Sequence, residues 1–213
     1  ISKVSNFLDT KDANIEFSSE PKIDGISATL IYEDGVLIKG LSRGDGIIGE
    51  DILENLKTIN EIPKKIRDNN VPSLFEVRGE IYMPIQTFEA LNQSREAAGE
   101  SLFANARNST AGTLKSLDPS VVADRSLAFI AHGKGDIDWI DAPETWNKFA
   151  VALKEFGFPV NPEMNVCRTT DEIIDAINSL ALKRQSLSYG IDGLVIRVNE
   201  FLEQDALKTT SKS

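Results

Sequence analysis

Asn14 to Lys22 reads as a strand, and apolar and polar positions then alternate in β fashion through Ile26 to Tyr32 and Val36 to Leu41. That period sends successive side chains to opposite faces of a strand, so three strands are predicted here. Asp34-Gly35 separates the last two, and such a pair between alternating runs marks a hairpin, because glycine accepts the positive φ of a tight turn. Leu74 to Met83 repeats the pattern, with Glu76, Arg78 and Glu80 on one face and Phe75, Val77 and Ile81 on the other. Leu127 to Gly133 reads as a further strand. Gly193 to Val198 is apolar except for Arg197, which predicts a strand buried on both faces.

Helical periodicity fills the intervals. Gly44, Gly46 and Gly49 make a loop, after which Glu50 and Asp51 suit the positive end of a short helix. Thr87 to Ala98 is predicted helical with Gly99 closing it, and Ala106 to Leu117 helical with Asp118-Pro119 ending it. Glu144 to Phe156 is amphipathic and closed by Gly157. Thr169 and Glu172 form a capping-box pair opening a helix to about Arg184. Strands and helices mixed without regular β-α-β alternation point to an α+β fold of antiparallel sheets flanked by helices.

The chain of 213 residues is 41% hydrophobic and 26% charged, the balance of an ordinary globular domain. No apolar run approaches the roughly 20 residues needed to span a bilayer, and the first residues lack a signal-peptide layout, so a cytoplasmic location without membrane association is expected. Cys167 and His132 each stand alone. Disulfides, cysteine-rich zinc sites and paired-histidine chemistry are therefore weakly supported, and any reaction must rest on Lys, Arg, Asp, Glu and backbone groups. A net charge of −10 disfavours free-standing nucleic-acid binding, which calls for basic surface. Lys22, Arg43, Arg78, Arg107, Lys115, Arg184 and Arg197 stand in distinctive contexts, and a few of them gathered in one cleft would bind phosphates even here.

Glu20-Pro21-Lys22-Ile23-Asp24-Gly25 carries the clearest chemistry. A lysine at a strand end before an Asp-Gly turn offers an amine at the mouth of a cleft. A free lysine amine titrates near 10.4, and neighbouring cations or a metal that lower this value turn it into a nucleophile for phosphorus or carbonyl carbon. Alone, the string also reads as a chance surface turn.

Six further blocks follow it in order: SRGDGIIGED (Ser42 to Asp51), FEVRGEIYMP (Phe75 to Pro84), FANARNSTAGTLKSLDP (Phe103 to Pro119), FIAHG (Phe129 to Gly133), GFPVNP (Gly157 to Pro162) and IDGLVIRVN (Ile191 to Asn199). Over almost its whole length the chain resembles the adenylation domain of bacterial NAD-dependent DNA ligases. The resemblance implies an ATP-grasp-like covalent nucleotidyltransferase fold across 1–213. It implies that Lys22 attacks the α-phosphorus of NAD, that AMP then passes to the 5′-phosphate of nicked double-stranded DNA, and that the 3′-hydroxyl seals the strand. Charge built up at phosphorus calls for Arg, Lys and Mg²⁺ or Mn²⁺.

By the same resemblance, Glu20 faces the adenine amino group, with Gly25, Arg43 and Arg197 also on the cofactor. Glu80 reaches the ribose hydroxyls, and His132 falls where an aromatic ring stacks on adenine. Asp24, Glu80 and Asp192 match carboxylates that hold a hydrated metal or orient the nucleophile, although Asp24 and Asp192 also fit simple turns. Arg107, Lys115 and Arg184 match cations on cofactor or nick phosphates. Glu76 and Arg78 are read as an ion pair of little worth, Arg95, Lys64, Lys65 and Arg67 as solvated charges, and Trp139, Trp146 and Cys167 as packing.

Arg197 stands where the family usually has Lys, and Lys115 where it usually has Arg, which alters the hydrogen-bonding geometry but not the charge. The family's upstream nicotinamide-binding segment, its last motif lysine and its oligonucleotide-binding, zinc-finger, helix-hairpin-helix and BRCT domains are not in these 213 residues. The chain alone is expected to be a monomer that reacts weakly with NAD. The alternatives are another covalent nucleotidyltransferase, of ATP-dependent ligase or RNA-capping type, and a non-catalytic nucleotide- or DNA-binding module.

Overall fold

A computed structural model describes residues 1–8, 15–42, 49–68 and 70–208. Two antiparallel sheets organise it, as the mixed pattern predicts. The larger has the order β3-β2-β4-β5, from β2 (Ile26–Glu33), β3 (Val36–Ser42), β4 (Leu74–Tyr82) and β5 (Ala128–Ile137). The smaller has the order β6-β1-β7, from β1 (Phe17–Ile23), β6 (Asn165–Cys167) and β7 (Ile191–Val198).

The β2–β3 hairpin turns where Asp34-Gly35 requires, with both residues at positive φ (46° and 76°). Along β4 the burial alternates as its sequence does: Phe75, Val77 and Ile81 enter the main core, while Glu76, Arg78 and Glu80 take the other face. Helix α6 (Trp146–Glu155) covers the apolar face, burying Trp146, Phe149 and Leu153 against it. Phe75 meets Phe149 and Phe156 at ring separations of 5.8 and 5.4 Å, within the range that favours aromatic pairs. The polar face of β4, carrying Glu80, is thereby turned toward the small sheet.

A second cluster (Ile23, Tyr82, Ala128, Ile130 and Tyr189) joins the two sheets. It includes residues from β1, β4 and β5, so the sheets are clamped together below the opening that Glu80 faces. Proline at position 21 is tolerated in β1 because pairing with β6 stops at Ser19, leaving that side of the strand free of a ladder it would interrupt.

Several boundaries differ from the sequence pattern. The helix expected over 106–117 ends earlier, as α4 (Ala106–Leu114). Asp118-Pro119 opens a new helix, α5 (Pro119–Asp124), in which Asp118 Oδ1 accepts from Ser120 N and proline takes the first turn. Proline suits that position because its missing N–H would be unpaired there anyway. The short helix after Gly49 begins at Leu53 (α2, Leu53–Leu56), with Asp51 Oδ1 accepting from Leu53 N. Helix α3 spans Ile85–Ala97, with Gly99 at φ 71° just beyond its end. Helix α7 (Thr170–Lys183) carries the complete capping box of Thr169 and Glu172. Helices α1 (Ser2–Phe7) and α8 (Phe201–Lys208) and the short β6 were not visible as patterns.

Strand β7 is not buried on both faces. It forms an edge of the small sheet, with Asp192, Gly193 and Ile196 exposed. Its apolar run packs partly against the inter-sheet opening instead of between two layers. Lys64 is also not a plainly solvated charge: its amine donates to the carbonyls of Ile59 and Ile62, and partial burial pushes its pKa down. Arg95 donates to Ser101 O and stands over the Phe103 ring. The packing reading holds for Trp146 and Cys167, both buried, and for Trp139, packed on the core.

Candidate active site

Between the sheets lies a cleft of about 910 Å³. Period two along β1 sends Glu20 and Lys22 to its wall, β4 adds Glu80, β5 adds Ile130 and His132, and β7 adds Val195 and Arg197. Helix α4 contributes Arg107, and Lys115 lines the same space from the helix's C-cap. Four of the cations singled out in the sequence, Lys22, Arg107, Lys115 and Arg197, therefore share one cleft of a protein of net charge −10. Arg78 does not line it. It pairs with Glu76 at 3.1 Å beside a neighbouring polar hollow.

The cleft is graded in depth. Glu20 is 3% exposed, whereas the Lys22 side chain is 51% exposed. A buried carboxylate needs a partner, and Glu20 has one in Arg197, whose guanidinium also donates to His132 O at 2.6 Å and stands 4.8 Å from the Trp146 ring centroid. Strand register explains the pairing. Glu20 lies opposite Val195, and Arg197 is two residues along on the same face, within diagonal reach for a long side chain. Burial lowers the Arg197 pKa to about 10.

At the mouth, Lys22 Nζ donates to both oxygens of Asp192, at 2.7 and 2.6 Å. Lys22 is opposite Gly193 while Ile23 is opposite Ile191, so Asp192 is the extra residue of a β-bulge. Such bulges re-aim a side chain beside a site. Gly193 leaves open space, with no atom within 4 Å of where a Cβ would stand. Asp24 is held by Arg107 at 3.1 Å, and Glu80 lies 3.4 Å from His132 Nε2. Asp24 and Asp192 thus reach the site through two wall cations without lining it themselves.

Two expected residues stand apart. Gly25 is buried off the wall, where an added Cβ would come 2.2 Å from Ile81 O, so its missing side chain serves packing of β4. Arg184 lies exposed in the 3₁₀ turn Arg184–Ser186 after α7, off the cleft wall, because the helix ends there pointing into solvent. Arg43 lies outside the described residues.

Asn161 joins the wall although only its block, GFPVNP, attracted notice in the sequence. It is 4% exposed. Nothing in the local pattern marks a buried asparagine in a loop as a cleft residue. Its Oδ1 accepts from Glu163 N and from the Tyr189 hydroxyl, while Nδ2 has no partner.

Among the described residues no three His, Cys, Asp or Glu side chains converge on a metal position. Asp24, Glu80 and Asp192 each already hold a different partner. A resident ion caged by protein side chains does not fit this arrangement.

The NAD-dependent DNA ligase adenylation domain model matches residues 1–213. The chain belongs to that family. It is 48% identical over 199 residues to a DNA ligase of Carboxydothermus hydrogenoformans and 47% identical over 199 residues to one of Desulforamulus reducens, in each case across 93% of the chain. Against a DNA ligase of Bradyrhizobium sp. it is 39% identical over 213 residues, its full length. The adenylation domain spans about 30% of the length of these relatives. No described helix of the domain is long and apolar enough to cross a membrane.

Proposed function

We propose that this chain is the adenylate-forming part of an NAD-dependent DNA ligase, with Lys22 as the residue that carries AMP. The observation that carries the reading is the Lys22 amine at the mouth of a cation-lined cleft, with both its hydrogen bonds going to Asp192. A carboxylate so placed orients the amine and can take its proton as the P–N bond forms.

In the proposed reaction the Lys22 nitrogen attacks the α-phosphorus of NAD. A P–N bond forms as the P–O bond of the pyrophosphate breaks, and nicotinamide mononucleotide leaves with that electron pair. The amine's protons pass to Asp192 and onward to solvent. An oxygen of the DNA 5′-phosphate then displaces Lys22 from phosphorus, and the nick's 3′-hydroxyl attacks the 5′-phosphorus, releasing AMP and sealing the strand. Arg107 and Lys115 offset the negative charge that accumulates at phosphorus. Glu20 faces the adenine amino group from the cleft's buried end, with Arg197 holding that carboxylate in place. Glu80 takes the ribose hydroxyls, and His132 stacks on the base. Asp24 orients Arg107, Arg43 touches the ribose, and Arg184 serves phosphate contacts in the complete enzyme. Magnesium is proposed to arrive on phosphate oxygens and water, since the side chains here form no cage for it.

The complete ligase is proposed to act on nicked DNA as a monomer in the bacterial cytoplasm, at the nucleoid. With a charge of −10, this domain is expected to add local phosphate contacts and little nonspecific DNA affinity.

Incubating the complete protein with Mg²⁺ and either NAD or ATP, followed by intact-mass measurement, tests the reading. One AMP gained from NAD and lost in Lys22→Ala is expected. An adduct from ATP alone, or none from either, would overturn it in favour of another nucleotidyltransferase or a binding module.

A further inference from the structure

Helix α4 ends at Leu114, and its C-cap residue is Lys115, a cation of the cleft wall. The last carbonyls of a helix have no partner within it. Here the carbonyls of Leu114 and Ser116, on either side of Lys115, are taken up by one side chain. Asn55 Nδ2 donates to both, at 2.9 Å each. An amide nitrogen carries two N–H donors and a carbonyl can only accept, so the pair of bonds also fixes which way the amide faces. Asn55 is buried and does not itself line the cleft.

The clamp is anchored on the larger sheet. Ile52 N donates to Gly40 O of β3 at 2.8 Å, immediately before α2 begins. A Cβ on Gly40 would stand 2.3 Å from Leu56 Cδ1, so the helix lies directly against the strand. Leu56 of α2 and Leu114 of α4 both belong to the main core. Asn55 therefore ties the end of α4 to a helix seated on β3, and the backbone that carries Lys115 cannot shift without breaking a buried hydrogen bond.

Lys115 depends on this more than the other wall cations do. Lys22, Arg107 and Arg197 are held by Asp192, Asp24 and Glu20, whereas Lys115 makes no ion pair with a described residue. A lysine is a point charge on a flexible stem, so the position of that charge follows from where the backbone roots the stem.

We infer that Asn55 is a positioning residue for Lys115, its amide clamping the carbonyls on both sides so that this cation is rooted at the cleft wall. The inference rests on the adenylate reading above, which gives Lys115 the charge that accumulates at phosphorus.

The test is a double-mutant cycle on the complete ligase. AMP transfer from NAD to Lys22 and sealing of nicked DNA are each timed for the wild type, Asn55→Ala, Lys115→Ala and the double variant, at a temperature where thermal melts show all four folded. Whichever step Lys115→Ala slows, Asn55→Ala is expected to slow by about 10-fold, short of the roughly 10²-fold that about 1 Å of misplacement can cost. In the Lys115→Ala background the Asn55 substitution should add nothing, since no charge is left to misplace. A merely structural role would slow the enzyme with or without Lys115, so an Asn55→Ala effect that persists undiminished in that background would overturn the inference. So would Asn55→Ala running at the wild-type rate in the step that Lys115→Ala slows. Where Asn55→Ala does not fold, Asn55→Gln takes its place, keeping the amide on a stem one methylene longer and displacing the helix end without releasing it. The same dependence on Lys115 is expected of it, and its absence overturns the inference equally. If Lys22 is adenylated and Lys115→Ala slows neither step, this inference alone falls. If Lys22 gains no AMP from NAD, the adenylate reading falls and takes the inference with it.

Discussion

Asp192 takes both hydrogen bonds of the Lys22 amine from a position that strand pairing skips. The bulge matters because an in-register residue next to Gly193 would point its side chain to the opposite face of β7. The carboxylate is presented to the nucleophile by a local irregularity in the backbone.

Replacing Asp192 by Asn preserves shape and removes the proton acceptor. The rate of AMP transfer to Lys22 from NAD should fall by about 10²-fold or more, the usual contribution of a positioned base. Stability should change little, since the pair is exposed on both sides and such pairs contribute about 0–1 kcal/mol. A rate within a few-fold of the wild type, read by intact mass over time, would remove Asp192 from the reaction.

Arg197→Met should destabilise the fold by about 3–5 kcal/mol, because it strands the Glu20 carboxylate in a buried position. Urea unfolding of Glu20→Gln/Arg197→Met should recover much of that loss, as the lone charge is then gone. Arg197→Lys should cost about 1 kcal/mol, keeping the charge on Glu20 but losing the second donor to His132 O.

Gly25→Ala should act on folding before it acts on ligand. Its Cβ would lie 2.2 Å from Ile81 O and 2.9 Å from Glu80 Cγ, and a crowded interior position costs about 1–3 kcal/mol. A thermal melt should show this loss directly. An unchanged melting temperature with weakened nucleotide binding would instead return Gly25 to the cofactor.

The pH dependence of stability should include a term from Glu16. A hydrogen bond from Asn199 at 3.1 Å, with Arg168 as a second partner, holds its carboxyl below the ordinary value of 4.5. A carboxylate with a lowered folded pKa adds stability that is present above its unfolded value and lost as pH falls through the folded one. Glu16→Gln should therefore be less stable than the wild type at neutral pH, with the gap closing below about 4.5. A gap that stays constant on acidification would show that Glu16 contributes through shape alone. Its exposure keeps the effect small.

Much of the fold could be read along the chain because its signals are local. The Asp34-Gly35 turn, the two faces of β4 and the capping box of α7 depend on residues within a few positions of one another, and all three appear as expected. Elements with few residues or no amphipathic contrast, such as β6 and α1, carry too little periodicity to show. Asp118-Pro119 was legible as a break, but not as the start of α5.

The residues of the candidate site were likewise visible in their motif blocks, while their arrangement was not. Sequence alone determined the strand that places Glu20 and Lys22 on one face, since period two is a property of the backbone. Tertiary structure alone decided that Asp192 is bulged toward Lys22 across 170 positions, that Arg197 neutralises Glu20 across 177, and that Asn161 is buried at the cleft wall. It also left Arg184 outside. Such pairings depend on register between strands distant in the chain, and register is set by the packing of whole sheets, which no local pattern encodes.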